Sequence, residues 1–237
     1  MSEPLAPPPP PPPPPGDAAR PGLPWEDRAR HGAFQGFVDT VKLLVGSPAE
    51  AFARARRRGD LVSPVAYAVL IGWIGVVAER IWTLLIGTSI LSFLPGEARE
   101  GAALGFAVSG LGLAVALVLA PIFVLVGLFV WGAILHLFLM LYGATRTSDT
   151  GFEGTLRAVS WSTTSQLGQV VPFVGGLVAL VWSVVLQTIA LAQFHRTTQG
   201  KALAAVLTPL LLCCVCIAFA FAGVVAMIVG AAAGAAD

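Results

Sequence analysis

Between Gly101 and Ala236 the chain carries only six charged side chains: Arg146, Asp149, Glu153, Arg157, Arg196 and Lys201. An aqueous fold cannot hide so long an apolar stretch around one core. The bilayer must therefore be most of the solvent, and any function must be a membrane function. Charged residues are 11% of the chain, against roughly 25% in a soluble domain. The net charge of +1 matters less than where the basic residues lie. The expected fold is all-α: a polytopic membrane bundle of about five transmembrane helices.

The expected organisation has three parts. Residues 1–30 form a disordered proline-rich arm whose run from Pro7 to Pro15 is a polyproline II rod. Residues 31–60 form amphipathic helices. Phe34, Phe37, Val41 and Leu44 fall on one helical face, with Gln35, Asp39 and Lys42 between them, which predicts a helix lying at the membrane interface. Ser47-Pro48-Ala49-Glu50 reads as a cap, a first-turn proline and a capping box opening a second helix that runs into Arg54, Arg56, Arg57 and Arg58. Residues 61–235 are the transmembrane part.

Five crossings are expected, at about 64–90, 104–143, 153–171, 174–195 and 203–231. Ser63-Pro64 is read as the cap of the first. The second is too long for one straight crossing, so 104–120 is read as a kinked or partly re-entrant extension of a strong span that starts at Pro121. The third is polar for lipid, carrying Glu153, Arg157, Ser160, Ser162, Thr163, Thr164, Ser165, Gln166 and Gln169. If it crosses, shielded by its neighbours, the basic segments Arg54–Arg58, Arg146 and His195-Arg196 with Lys201 all fall on one side. The positive-inside rule makes that side cytoplasmic.

Polar groups at membrane depth are the candidate site residues. Glu79, placed near the middle of the first span, is read as half of a buried pair with another helix, a proton or ion relay being the alternative. His136 is read as an interhelical hydrogen-bonding group. His31 and His195 are read as lying outside the core, so a metal site has no companions for it. Arg157 and Gln166 belong to a polar seam on the third helix that either glues helices together or lines a wet cavity. Arg54, Arg56, Arg57 and Arg58 form a basic cluster that attracts anionic lipid, or an acidic protein partner. Cys213, Cys214 and Cys216 lack the second ligand pair of a zinc site and are read as small packing residues. Signatures for phosphate, dinucleotide, zinc-protease and hydrolase chemistry are missing, so neither enzyme activity nor a cofactor is expected. A small basic cluster tied to a membrane gives no reason to expect nucleic acid as a partner.

The order of segments is distinctive. A Ser47-Pro48 to Phe52 element precedes the first span. Leu135 to Gly143 (LHLFLMLYG) is followed by Gly151 to Leu167 (GFEGTLRAVSWSTTSQL); Pro172 precedes a span, and Leu191 to Pro209 (LAQFHRTTQGKALAAVLTP) opens the last one. This pattern resembles the Yip1 family of multi-span membrane proteins over about Phe34 to Val229. The positions carrying the resemblance are Pro48, Gly143, Thr155, Pro172, His195 and Lys201. The resemblance implies five spans and a cytoplasmic N-terminus. Eukaryotic relatives are associated with Rab GTPases and vesicle traffic. The Ala, Gly and Arg-rich composition looks bacterial, which would place this chain in a cytoplasmic membrane with no Rab partner.

The expected function is a non-enzymatic membrane scaffold or adaptor, its partners being the bilayer and a protein or second copy of the chain. The alternative is a small transporter, channel or lipid-translocating protein using the intramembrane polar groups.

Overall fold

The computed structural model describes residues 20–93 and 95–234; the proline run lies outside them. Among the described residues every regular element is a helix. They are α1 (Arg28–His31), α2 (Ala33–Gly46), α3 (Pro48–Arg54), α4 (Val62–Ser92), α5 (Gly96–Leu141), α6 (Gly151–Ser162), α7 (Gly175–Phe194) and α8 (Gln199–Gly234). Short 3-10 stretches precede α1 (Pro24–Asp27) and follow α6 (Thr163–Val170). Four helices are long and apolar enough to cross a membrane, at Val62–Ser89, Leu117–Leu141, Gly175–Phe194 and Gln199–Met227.

The expected kink in the second span resolves into one continuous helix, α5, with Pro121 inside it. Proline has no N–H, so the carbonyl of Leu117 four residues back loses its helical partner. The Trp73 indole N–H from α4 donates to that carbonyl at 3.0 Å. A neighbouring helix thus satisfies the group that proline orphans, and α4 and α5 are pinned as an antiparallel pair.

The polar third segment is different in kind. Residues Gly154 to Ser162 of α6 are buried in an unbroken row, so the helix is enclosed by protein all round. Its hydroxyls turn back onto its own carbonyls: Ser160 onto Leu156, Ser162 onto Ala158, Thr163 onto Ser160 and Thr164 onto Trp161. The last two reach only three residues back, the 3-10 spacing, and the helix tightens there into the 3-10 stretch. Twelve α residues and eight 3-10 residues extend about 18 Å and about 16 Å. The contacts show it running parallel to α4: Tyr67 bonds Thr164 at 2.8 Å, and farther along both segments the Trp82 indole N–H donates to the Val170 carbonyl at 3.2 Å. Beside the four apolar helices this segment makes a fifth traverse of the bundle. Its close approach to α4 depends on Gly75, where a Cβ would lie 2.9 Å from Gln166 Cβ.

Residues 20–60 fold onto the end of the bundle where α4, α6 and α8 begin and α5 and α7 end; this unit is the cap. Residues 20–30, assigned to the arm from sequence, belong to it: Leu23 and Trp25 are core residues. The Trp25 backbone N–H donates to Thr40 and its indole N–H to the Ser63 carbonyl, both at 2.9 Å. The apolar face expected to lie on lipid turns inward instead. Phe37 packs between Trp25 and Tyr67, with ring centroids 5.8 and 5.5 Å away, and Leu44 is fully buried. Of the four predicted face residues only Phe34 points out, at 80% exposure. Asp60, rather than Ser63, caps α4 by accepting the Val62 N–H at 2.9 Å. Ser47 makes no capping bond, and Glu50 pairs with Arg54 rather than closing a box.

Beyond Leu210, residues 211–227 of α8 are exposed, among them Cys213, Cys214 and Cys216. The cysteines therefore point away from the protein instead of packing within it.

Candidate functional site

The buried charge lies where the cap meets the bundle. Arg57 is fully buried. It donates to both oxygens of Asp149 and, at 2.7 Å, to the Phe194 carbonyl. That carbonyl is at the C-terminus of α7, where helical partners have run out and the helix dipole is negative, so a guanidinium satisfies both needs. Burial opposes ionisation of Asp149, but its own backbone N–H together with Arg57 and Arg196 holds the carboxyl below its usual range.

Arg157 of α6, also fully buried, forms the second lock. It donates to Glu153 at 3.0 Å and to the Arg56 carbonyl at 3.2 Å, and lies 3.5 Å from Glu26. The other Glu26 oxygen accepts the backbone N–H groups of Leu23 and Arg56, at 2.8 and 3.1 Å. Burial pushes the Glu26 carboxyl up despite these donors and the Arg157 guanidinium. Glu153 also accepts the Gly59 N–H at 2.9 Å. Arg157, with Glu153 beside it, thus holds two stretches of the cap, at Glu26 and at Arg56–Gly59.

Between the locks runs a chain of hydroxyls and imidazoles. His136 Nδ1, Thr155 Oγ1 and His195 Nε2 are linked by two contacts of 2.8 Å; His195 Nδ1 continues to Ser148 Oγ at 2.8 Å. Ser148 reaches Thr150 at 3.1 Å, and Thr150 donates to the Phe194 carbonyl at 3.1 Å. A carbonyl can only accept, and with His195 neutral this fixes the polarity of every link. Thr150 donates to it, so Ser148 donates to Thr150 and His195 Nδ1–H to Ser148. His195 Nε2 then accepts from Thr155, which accepts from His136 Nδ1–H. His195 is fully buried; burial, then His136 and Arg57, pull its pKa down to about 4. The reading of His195 as outside the core is therefore corrected: it follows α7 in sequence but is drawn under the cap.

Among the described residues Glu79 has no partner on another helix. It pairs with its neighbour Arg80 at 3.6 Å and is 45% exposed. It lies 17 residues beyond Val62, about 26 Å along α4 and near the middle of that helix, where the sequence placed it. Gln166 is at the Gly75 crossing and lines a cavity, away from the histidines. The arginine cluster is divided: Arg54 and Arg58 are exposed, Arg56 is half-buried, and Arg57 is wholly committed inside. α3 ends at Arg54, so the others belong to the connection into α4. Arg30, Lys42 and Arg54 each have an acid three or four positions away, which reduces the basic field the cluster was expected to project.

The remaining motif residues lie outside this buried network. Pro48 opens α3. Gly143 takes φ +63° in the turn after α5, a conformation that favours glycine. The Pro172 carbonyl accepts the Val174 N–H at 2.7 Å in the turn into α7. Lys201 is exposed in the first turn of α8. Glu26, Ser148 and Thr150 were not singled out from sequence. The clustering of Arg146, Asp149, Glu153 and Arg157 was the one local signal pointing here.

Four apolar helices, an enclosed polar traverse and an ion-paired cap define a polytopic integral membrane protein. Residues 42–221 match the model of the Yip1 domain, and the chain belongs to that family. No curated protein and no solved structure matches it.

Proposed function

We propose that the protein is a non-enzymatic membrane scaffold in which the bundle holds a rigid cap at the cytoplasmic surface as a platform for partners. The observation that carries this reading is the use of the buried charge: Arg57 and Arg157 both fasten cap to bundle. A fastened cap presents its outward residues, including Phe34, Lys42 and Arg58, in a fixed arrangement, and that lowers the entropy lost on binding. Because the apolar face of α2 is turned inward, protein docking fits the cap better than insertion into lipid. The one-sided distribution of basic residues supports a cytoplasmic N-terminus, and the Ala, Gly and Arg-rich composition supports a bacterial inner membrane.

The test is affinity purification of the full chain in mild detergent, wild type beside a Phe34→Asp, Arg58→Glu variant. A stoichiometric partner retained by the wild type and lost by an equally stable variant supports the scaffold. The same recovered proteins from both would count against it. A second reading, proton-coupled transport, draws on the one-way His136–Thr155–His195 chain. Proteoliposomes loaded with a pH-sensitive dye would show flux above empty vesicles if that reading holds.

A further inference from the structure

A cavity of about 350 Å³ lies between α5, the 3-10 stretch, α7 and α8, apart from the cap network. Its polar lining is Ser162, Thr163, Ser165, Gln166, Ser183 and Gln187, and no charged residue borders it. The hydroxyl protons of Ser162, Thr163 and Ser183 are given to carbonyls of their own helices, at 2.6–2.7 Å, which leaves their oxygens as acceptors. Ser165 is 2% exposed, and among the described residues its Oγ has no hydrogen-bond partner. A buried hydroxyl left so is costly unless something in the cavity bonds it. Gln187 accepts the Trp131 indole N–H at 2.9 Å through its oxygen; among the described residues its amide N–H groups have no protein acceptor.

We infer that this cavity binds the uncharged glycerol region of a lipid, a hydroxyl- and ester-bearing amphiphile of the diacylglycerol type. Three features lead to that class. The wall offers donors for ester carbonyls and acceptors for a free hydroxyl. It offers no countercharge, so a phosphate would be desolvated without compensation. Access is from the membrane: Leu210 is the last α8 residue on the cavity, and beyond it residues 211–227 of that helix are exposed. Trp131, on its wall, is ten residues before the end of α5, about 15 Å along that helix. Val124, Leu128 and Val159 supply the apolar side of the site.

The experiment uses the full chain in phosphatidylcholine nanodiscs titrated with diacylglycerol brominated on its chains, which quenches nearby tryptophans. Quenching should saturate, and Trp131→Phe should remove the saturable part. Ser165→Ala should weaken binding about five- to tenfold, the loss of one buried hydrogen bond. Ser165→Leu should abolish it by filling the cavity. Ser165→Ala keeps the test valid if the leucine variant misfolds. Brominated phosphatidylglycerol and free glycerol are the comparison arms. Equal saturation by phosphatidylglycerol would overturn the choice of an uncharged lipid. Competition by free glycerol would overturn the lipid. Quenching that never saturates, or is indifferent to both Ser165 variants in folded protein, would mean that only water fills the cavity.

Discussion

Replacing Asp149 by Asn should loosen the cap without unfolding the bundle. The substitution keeps the shape of the side chain and removes its charge, so the buried Arg57 guanidinium beside the Phe194 carbonyl loses the countercharge of Asp149. Removing one partner of a fully buried ion pair costs roughly 3–5 kcal/mol, and an exposed pair is worth about 0–1 kcal/mol. Here Arg57 is 0% exposed and Asp149 is 37% exposed, so solvent screens one side and a cost of about 2 kcal/mol is expected. That corresponds to about a thirtyfold rise in the open population of the cap. Hydrogen–deuterium exchange read by mass spectrometry on peptides from α2 and α3 should speed up by that factor, while α7 peptides should change little. Pairing Asp149→Asn with Arg57→Met should recover much of the loss, since the methionine leaves no buried charge behind. Unchanged exchange in α2 and α3 would refute the view that this pair fastens the cap.

Three further perturbations probe other parts of the structure. His195 takes up a proton near pH 6.5 when unfolded and near 4 when folded, so its contribution is complete above pH 6.5 and is lost as the pH falls. Between pH 7 and pH 5 the wild type should lose about 2 kcal/mol that His195→Gln does not. Asp149 stays ionised there and the raised Glu26 pulls the opposite way, so thermal melting of wild type and variant at both pH values isolates the histidine. Trp73→Phe should cost about 1 kcal/mol by orphaning the Leu117 carbonyl, and Pro121→Ala in the same chain should cancel that cost by restoring the helical N–H; melting of all three variants closes the cycle. Gly75→Ala should destabilise by about 1–3 kcal/mol, because its Cβ would meet Gln166 Cβ at 2.9 Å and the backbone carbonyl at 3.1 Å; a melting temperature equal to wild type would show that the crossing can yield.

The apolar helices were legible because lipid writes its demand into composition, and the departure of Gly151–Val171 from that composition marked a segment whose Gly154–Ser162 stretch is enclosed by protein. The cap was not legible as a packed unit. An amphipathic face such as Phe37, Val41 and Leu44 looks the same whether it meets lipid or protein, and only the partner decides. The locks were hidden for a different reason: Arg57 and Asp149 are 92 residues apart, and Arg157 and Glu26 are 131 apart. No local pattern links such positions. Position in sequence misplaced His195, since a residue just past a span looks like surface until another element covers it. Pro121 was read as a kink because its missing N–H is local, whereas the compensating indole sits 44 residues before the Leu117 carbonyl that it satisfies.

A rigid cap is most directly tested by pulsed electron spin resonance on the full chain in proteoliposomes. Spin labels at exposed Lys42 on α2 and exposed Arg146 after α5 would report the cap against the bundle, with Cys213, Cys214 and Cys216 replaced by Ser. A single narrow distance distribution in the otherwise wild-type chain, broadened by Asp149→Asn, is the expected result. A distribution already broad before that substitution would mean the cap moves freely and cannot act as a fixed platform.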